Sequence, residues 1–79
     1  MNFLVGDLTL DYEKKPRVKL IFENGHIENA TYCDTSGYNH LFLLDNGKTL
    51  RLSNHFMHLK GIRVKLLPPE EQKSEEQNP

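Results

Sequence analysis

The sequence contains one cysteine and no apolar stretch long enough to span a membrane. A single cysteine excludes an intrachain disulfide, which argues against a secreted, disulfide-held miniprotein and agrees with a reducing compartment. A membrane helix needs about 20 apolar residues, and the apolar start of this chain turns polar at Asp7, too early for a secretory signal. We therefore expect a soluble protein of bacterial or phage type, without membrane contact, in a cytoplasm, either the cell's own or that of an infected host.

A strong net charge is also lacking, because the formal charge of the whole chain is −1. Residues 70–79 contain four glutamates and one lysine, a net charge of −3, which leaves +2 for residues 1–69. An acidic segment without apolar side chains cannot bury surface, so we expect a folded domain over residues 1–69 and a disordered acidic tail over residues 70–79. Such a tail either keeps the protein soluble or competes with an anionic ligand for the basic body.

The length of 79 residues leaves room for one domain with a thin core. A chain of this size buries only about 60% of its unfolded surface, and small domains of this kind often depend on disulfides, metal ions or partner subunits. Because a disulfide within the chain is excluded, we predict a homo-oligomer.

Short apolar segments with period-two alternation are separated by turn residues, which is typical of β-strands. Asn-Gly pairs at 24–25 and 46–47 predict two hairpins. Residues 41–44 are apolar on both faces and should form the most buried strand. Near residues 53–58 the alternation stops, which predicts one short 3₁₀ turn. The predicted strands cover residues 7–12, 18–22, 27–33, 38–44, 49–52 and 62–66.

This order of elements predicts an all-β domain, a small closed barrel of five or six strands. Closure would remove the open sheet edges that so short a chain cannot otherwise protect. A fold with a helix in residues 1–15 or 53–60 is the alternative.

Two short motifs within residues 18–67 resemble the Sm-like and SH3-like small barrels. The segment 59–67, LKGIRVKLL, is similar to the second Sm motif, in which a basic residue and a glycine precede the final strand. Asp34, Asn39 and the apolar residues 41–43 are similar to the first Sm motif. The resemblance implies an SH3-like or Sm-like barrel in which both loops face a ligand, often RNA, in a ring of subunits.

Signatures of catalysis and of metal binding are weak. The sequence contains no glycine-rich phosphate loop, metalloprotease helix or nucleophile elbow. Cys33 shares the predicted inward register with Ile27, so we interpret it as a core residue rather than a nucleophile. His55 and His58 are three residues apart and would need His40 or Cys33 to complete a zinc site, whereas zinc signatures usually pair several cysteines. We predict no catalytic residue, no metal and no cofactor.

The cations of three predicted strands alternate with inward apolar residues and should therefore lie on the solvent face. If the first and last strands of a barrel adjoin, these cations lie close together. Such a cluster can bind phosphate groups, to which arginine donates two hydrogen bonds at once. Tyr32, Tyr38 and Phe56 offer faces for base stacking. The predicted ligand-binding residues are Arg17, Lys19, Tyr38, Asn39, Arg51, Lys60, Arg63 and Lys65. Alternatively, the cations only keep the sheet soluble and protect its edges.

The leading hypothesis is a non-catalytic, oligomeric binding domain for a phosphate-bearing ligand, either a nucleotide or a short RNA. The alternative is a protein-interaction module that regulates or inhibits a partner protein. It would use a sheet edge for strand addition or an apolar patch of Phe3, Leu4, Phe56 and Met57. Salt separates the two hypotheses, because phosphate binding weakens steeply with salt and an apolar interface does not.

Overall fold

A computed structural model describes residues 1–72, which form a mostly β fold. The strands are β1 (Phe3–Val5), β2 (Leu8–Leu10), β3 (Arg17–Ile21), β4 (Ile27–Ser36), β5 (Asn39–Leu44), β6 (Thr49–Ser53) and β7 (Arg63–Leu66), and the helices are α1 (Asn54–Lys60) and α2 (Pro69–Gln72). The mostly β class is confirmed, with β1 and β2 as an additional hairpin. No helix in this part of the chain is long and apolar enough to cross a membrane.

The main sheet has five antiparallel strands in the order β6-β5-β4-β3-β7. The last strand, β7, pairs with β3, so that Lys19 lies opposite Lys65. Within residues 1–72, however, β6 and β7 are the two edges of the sheet, and the prediction of a closed barrel is not met.

The N-terminal hairpin lies between the two open edges. Asn54, directly after β6, accepts a hydrogen bond from the Gly6 N–H and donates one to the Leu4 carbonyl, both at 2.9 Å. Gly6 in turn lies against Val64 of β7, so that a Cβ on Gly6 would stand 3.5 Å from a Val64 methyl group. The hairpin therefore contacts both the end of β6 and the Val64 side chain of β7.

The segment predicted as a 3₁₀ turn is the seven-residue α-helix α1. Its N-cap is Ser53, whose hydroxyl accepts the Phe56 N–H at 3.0 Å. Nothing interrupts the helix before Gly61, whose φ of +69° ends it. The 3₁₀ turn of this protein lies elsewhere, at Tyr12–Lys14.

The core lies on one face of the main sheet, where Tyr32 and Phe42 are fully buried with ring centroids 5.5 Å apart. A β-bulge between Tyr32 and Asp34 inserts Cys33 into β4 and shifts the alternation by one residue. The inward register predicted for Ile27 and Cys33 is wrong: Ile27 pairs with Ile21 on the outer face and is half exposed, and Cys33 lies in the bulge after the inward Tyr32. Tyr32 consequently offers no face to a base.

The C-terminal helix α2 is attached to β3 by one side chain. The Gln72 amide accepts the Arg17 N–H at 2.6 Å and donates to the Arg17 and Leu67 carbonyls, both at 2.8 Å. Residues 70–72, which composition assigns to the tail, thus lie in a helix that contacts the sheet. The other residues of the predicted tail, 73–79, lie outside the described residues.

Candidate functional site

Tight turns fix which cations face each other on the outer surface of the sheet. The Phe22 N–H donates to the His26 carbonyl at 2.8 Å, and Gly25 closes this turn with φ +92°. The resulting register places Lys19 opposite Asn29 of β4. On its other side β3 pairs with β7, which places Lys19 opposite Lys65.

Three of the predicted ligand-binding residues therefore share one corner of the outer face. We call Lys19, Arg63 and Lys65 the basic cluster. Lys19 and Lys65 form a direct cross-strand pair, with about 5.5 Å expected between their Cα atoms. Arg63 lies two residues from Lys65 on the same face, because side chains of a strand alternate. Arg63 and Lys65 are exposed and Lys19 is partly buried.

The basic cluster has no carboxylate partner among the described residues. The three salt bridges within residues 1–72 join other groups. Like charges directly opposite each other in a sheet destabilise it by about 0.2–1 kcal/mol. The residues directly opposite are not acidic, since Asn29 lies opposite Lys19 and Ile21 lies opposite Arg63. The neighbouring carboxylate residue, Glu23, lies against Gly61 without a salt bridge to the cluster among the described residues. An anion would therefore relieve a repulsion that the fold leaves uncompensated.

Arg17 lies on the same outer face but is not part of this surface. Its guanidinium donates to both carboxylate oxygens of Asp45, at 2.7 and 2.8 Å, and to the Thr31 hydroxyl at 3.1 Å. The Arg17 side chain is 10% exposed. The same hydrogen bonds hold the pKa of the Asp45 carboxyl below its ordinary value. The prediction that Arg17 points to solvent is wrong, because a turn carboxylate folds over it.

Arg51 and Asn39 lie at the opposite corner of the outer face. They line a small cavity of about 130 Å³ together with Asp34, Ser36 and Leu41. Arg51 is on the edge strand β6 and Lys65 is on the other edge strand, four strand spacings or about 19 Å away along the sheet. The predicted convergence of all strand cations is therefore wrong, and only the basic cluster comes together.

Tyr38 and Lys60 lie outside the basic cluster. Tyr38, 90% exposed, is in the turn between β4 and β5. Along β4, the distance from Asn29, beside the basic cluster, to Ser36, beside this turn, is roughly 20 Å. Lys60 ends α1 with its Nζ 5.9 Å from the centre of the Phe56 ring.

Sequence reasoning did not identify Asn29 as a neighbour of the cluster. A signal existed, because the hairpin turn around Gly25 determines which residue of β4 lies opposite Lys19. The apolar neighbours Ile21 and Ile27 pair on the same face and were missed for the same reason. All three lie before the bulge, and the wrong inward assignment of Ile27 hid them.

Metal-ligand and nucleophile chemistry finds little support in the geometry. Within residues 1–72, no three His, Cys, Asp or Glu side chains gather where they could hold a metal ion. Burial raises the pKa of the Cys33 thiol, which lowers its thiolate fraction. Burial lowers the pKa of His40, whose Nδ1 lies 3.1 Å from the Tyr32 hydroxyl and 3.2 Å from the Thr35 hydroxyl.

Comparisons with known proteins give no indication of function, so a functional proposal rests on the geometry alone. No protein-family model, no curated protein and no solved structure matches the chain.

Proposed function

We propose that this protein is a non-catalytic binding domain and that the basic cluster binds a phosphate-bearing ligand. The observation that carries the proposal is the direct pairing of Lys19 with Lys65, extended by Arg63, without a carboxylate within salt-bridge distance in residues 1–72. Phosphate suits this arrangement because it offers several acceptor oxygens and carries enough charge to offset more than one cation. Arg63 contributes a planar fork of donors, and the two lysines contribute point charges.

A short single strand of RNA fits the dimensions better than a free nucleotide. Tyr38 and Asn39, predicted to contact a base, lie roughly 20 Å from the basic cluster along β4. One nucleotide cannot reach both places, whereas successive phosphates of a strand can follow the cluster along β7. Ile27, 49% exposed on the same face, offers apolar surface beside the phosphates.

The test is a titration of dye-labelled single-stranded RNA, followed by fluorescence anisotropy at several salt concentrations. Three phosphate contacts predict that log K falls with log salt with a slope of about −2. Lys65→Ser should weaken binding and make the slope less negative by about 0.7. ATP and inorganic tripolyphosphate serve as competitors that distinguish a strand from a free phosphate source.

Arg51→Ser is the matched control, because it removes one exposed cation from the same face at the opposite edge. We expect it to leave affinity and salt slope close to those of the unmodified protein. If Arg51→Ser and Lys65→Ser weaken binding equally, RNA affinity depends only on the net charge of the protein, and the proposed site is wrong. Binding without salt dependence would also contradict it.

Homo-oligomerisation remains a prediction that the phosphate proposal does not require. Pairing β6 of one copy with β7 of another would bring Arg51 beside Arg63 and Lys65 on one face, which places like charges together. Light scattering at micromolar concentration tests the prediction, and a monomer mass would reject it.

A further inference from the structure

The β7 strand has an open backbone edge. Within residues 1–72 it pairs only with β3. The Leu67 N–H donates to the Arg17 carbonyl at 3.1 Å, and hydrogen bonding alternates along an antiparallel pair. Arg63 and Lys65 therefore bond to β3, whereas the N–H and C=O groups of Val64 and Leu66 point away from the sheet. These groups form a row of donors and acceptors to which another extended chain can pair.

A groove runs along this open edge. It has a volume of about 560 Å³, within the range of ligand-binding clefts. One wall is residues 61–65, and the other is residues 6–8 in the turn of the N-terminal hairpin. Asn54, Met57 and His58, from α1, complete the lining. The hairpin thus bounds the edge strand without pairing with it, and the space between them is open.

The charges along the groove select the side chains of an incoming strand. Arg63 and Lys65 project from β7 onto the outer face, where the facing residues of a paired strand would lie directly opposite them. The groove lining contains Asp7 as its single carboxylate, so these two cations leave it positive. Acidic residues at alternate positions would therefore be favoured, and basic ones disfavoured.

A second copy of this chain fits poorly as the occupant. Antiparallel pairing of β7 with β7 of another copy would oppose Arg63 and Lys65 with the same cations. Pairing with β6 would bring Arg51 against them, as described above. Both arrangements place like charges on neighbouring strands. The occupant suited to this edge is a different protein.

We propose that the open edge of β7 accepts an extended segment of a partner protein with acidic residues at alternate positions, which adds as a sixth strand to the five-stranded sheet. Val64 and Leu66 supply main-chain hydrogen bonds, and Arg63 and Lys65 select the acidic side chains. This interaction is separate from phosphate binding, because it depends on the backbone of β7 and does not need Lys19 on β3.

The experiment titrates the full chain with a blocked peptide that alternates glutamate with valine, followed by isothermal calorimetry and amide chemical shifts. We expect shifts at Val64 and Leu66, and binding about fivefold or more weaker when glutamine replaces glutamate. Leu66→Pro removes one N–H of the open edge and should weaken binding about fivefold. Arg51→Pro is the matched control, because the Arg51 N–H points away from β5 at the other edge.

A peptide methylated on alternate backbone nitrogens repeats the test with the protein unaltered, in case Leu66→Pro does not fold. Methylation of the peptide nitrogens that would donate to β7 should abolish binding. Methylation of the alternate nitrogens, which point away from β7, should not. The inference is overturned if the glutamate peptide does not bind, if the lysine counterpart binds equally well, or if neither methylation matters. Lys19→Ser separates the two proposals, since it should weaken RNA binding but not peptide binding.

Discussion

The two partners of the Arg17–Asp45 ion pair differ in burial, so replacing one should destabilise the fold more than replacing the other. The Arg17 side chain is 10% exposed and the Asp45 side chain is 53% exposed. Asp45→Ala would leave a nearly buried guanidinium without its carboxylate. Arg17→Met would leave a carboxylate that water can reach. The methionine side chain would fill the space of the apolar arginine stem. We therefore expect Asp45→Ala to be the more destabilising change.

The magnitudes follow from burial and hydrogen bonding. Charge-assisted hydrogen bonds contribute about 1.5–3 kcal/mol each, and removing one partner of a fully buried pair costs about 3–5 kcal/mol. Because Asp45 is half exposed, we expect about 2–3 kcal/mol for Asp45→Ala. For Arg17→Met we expect about 1 kcal/mol or less, since a buried ion pair replaced by apolar atoms is often close to neutral.

Urea unfolding followed by circular dichroism measures both free energies of unfolding, and the double variant gives their coupling. The pH dependence supplies a second check. Because hydrogen bonds from Arg17 lower the folded-state pKa of Asp45, this contribution is complete above the unfolded-state pKa and is lost as the pH falls through the folded-state value. The gap between the unmodified protein and Asp45→Ala should therefore shrink in acid. Equal costs for the two variants, or a gap that is constant with pH, would refute the reasoning.

Three further predictions concern the helix, the hairpin and the cysteine. Ser53→Ala removes the N-cap hydrogen bond of α1 and should cost about 1 kcal/mol in urea unfolding, whereas Ser53→Asp should retain most of the stability. Asn54→Ala releases the N-terminal hairpin, so hydrogen exchange at the Gly6 amide should accelerate strongly while that of β4 is unchanged. Cys33, partly buried with a raised thiol pKa, should react with a thiol reagent at pH 7 more slowly than free cysteine, and urea should abolish the difference.

Local turn chemistry made much of the sheet predictable. The Asn-Gly pairs form three-residue turns in which Gly25 and Gly47 each have φ +92°, a conformation that glycine adopts without strain. These turns set the β3–β4 and β5–β6 registers. The apolar run at 41–44 lies in β5 as predicted, but the expectation that it forms the most buried strand is wrong, because Leu43 is 43% exposed and β3 is more buried.

The parts that failed depend on contacts between distant residues. The bulge at Cys33 reverses the facing of β4 only from Asp34 onward, and the local sequence, with no glycine there, gives no signal for it. The buried Arg17 side chain is held by Asp45, which is 28 residues away along the chain, and its backbone is held by Gln72 of α2. The prediction of a closed barrel failed because β6 and β7 do not pair within the described residues, and residues 3–10 form a separate hairpin that alternation alone could not place. The candidate site was therefore predicted in residue type but only partly in position.

The most direct test of phosphate binding at the basic cluster is a titration of the ¹⁵N-labelled protein with inorganic tripolyphosphate, followed by amide and side-chain nitrogen shifts. The account predicts saturable shifts at Lys19, Arg63 and Lys65, with little change at Arg51. Shifts of equal size at all four residues, or none at the three, would contradict it.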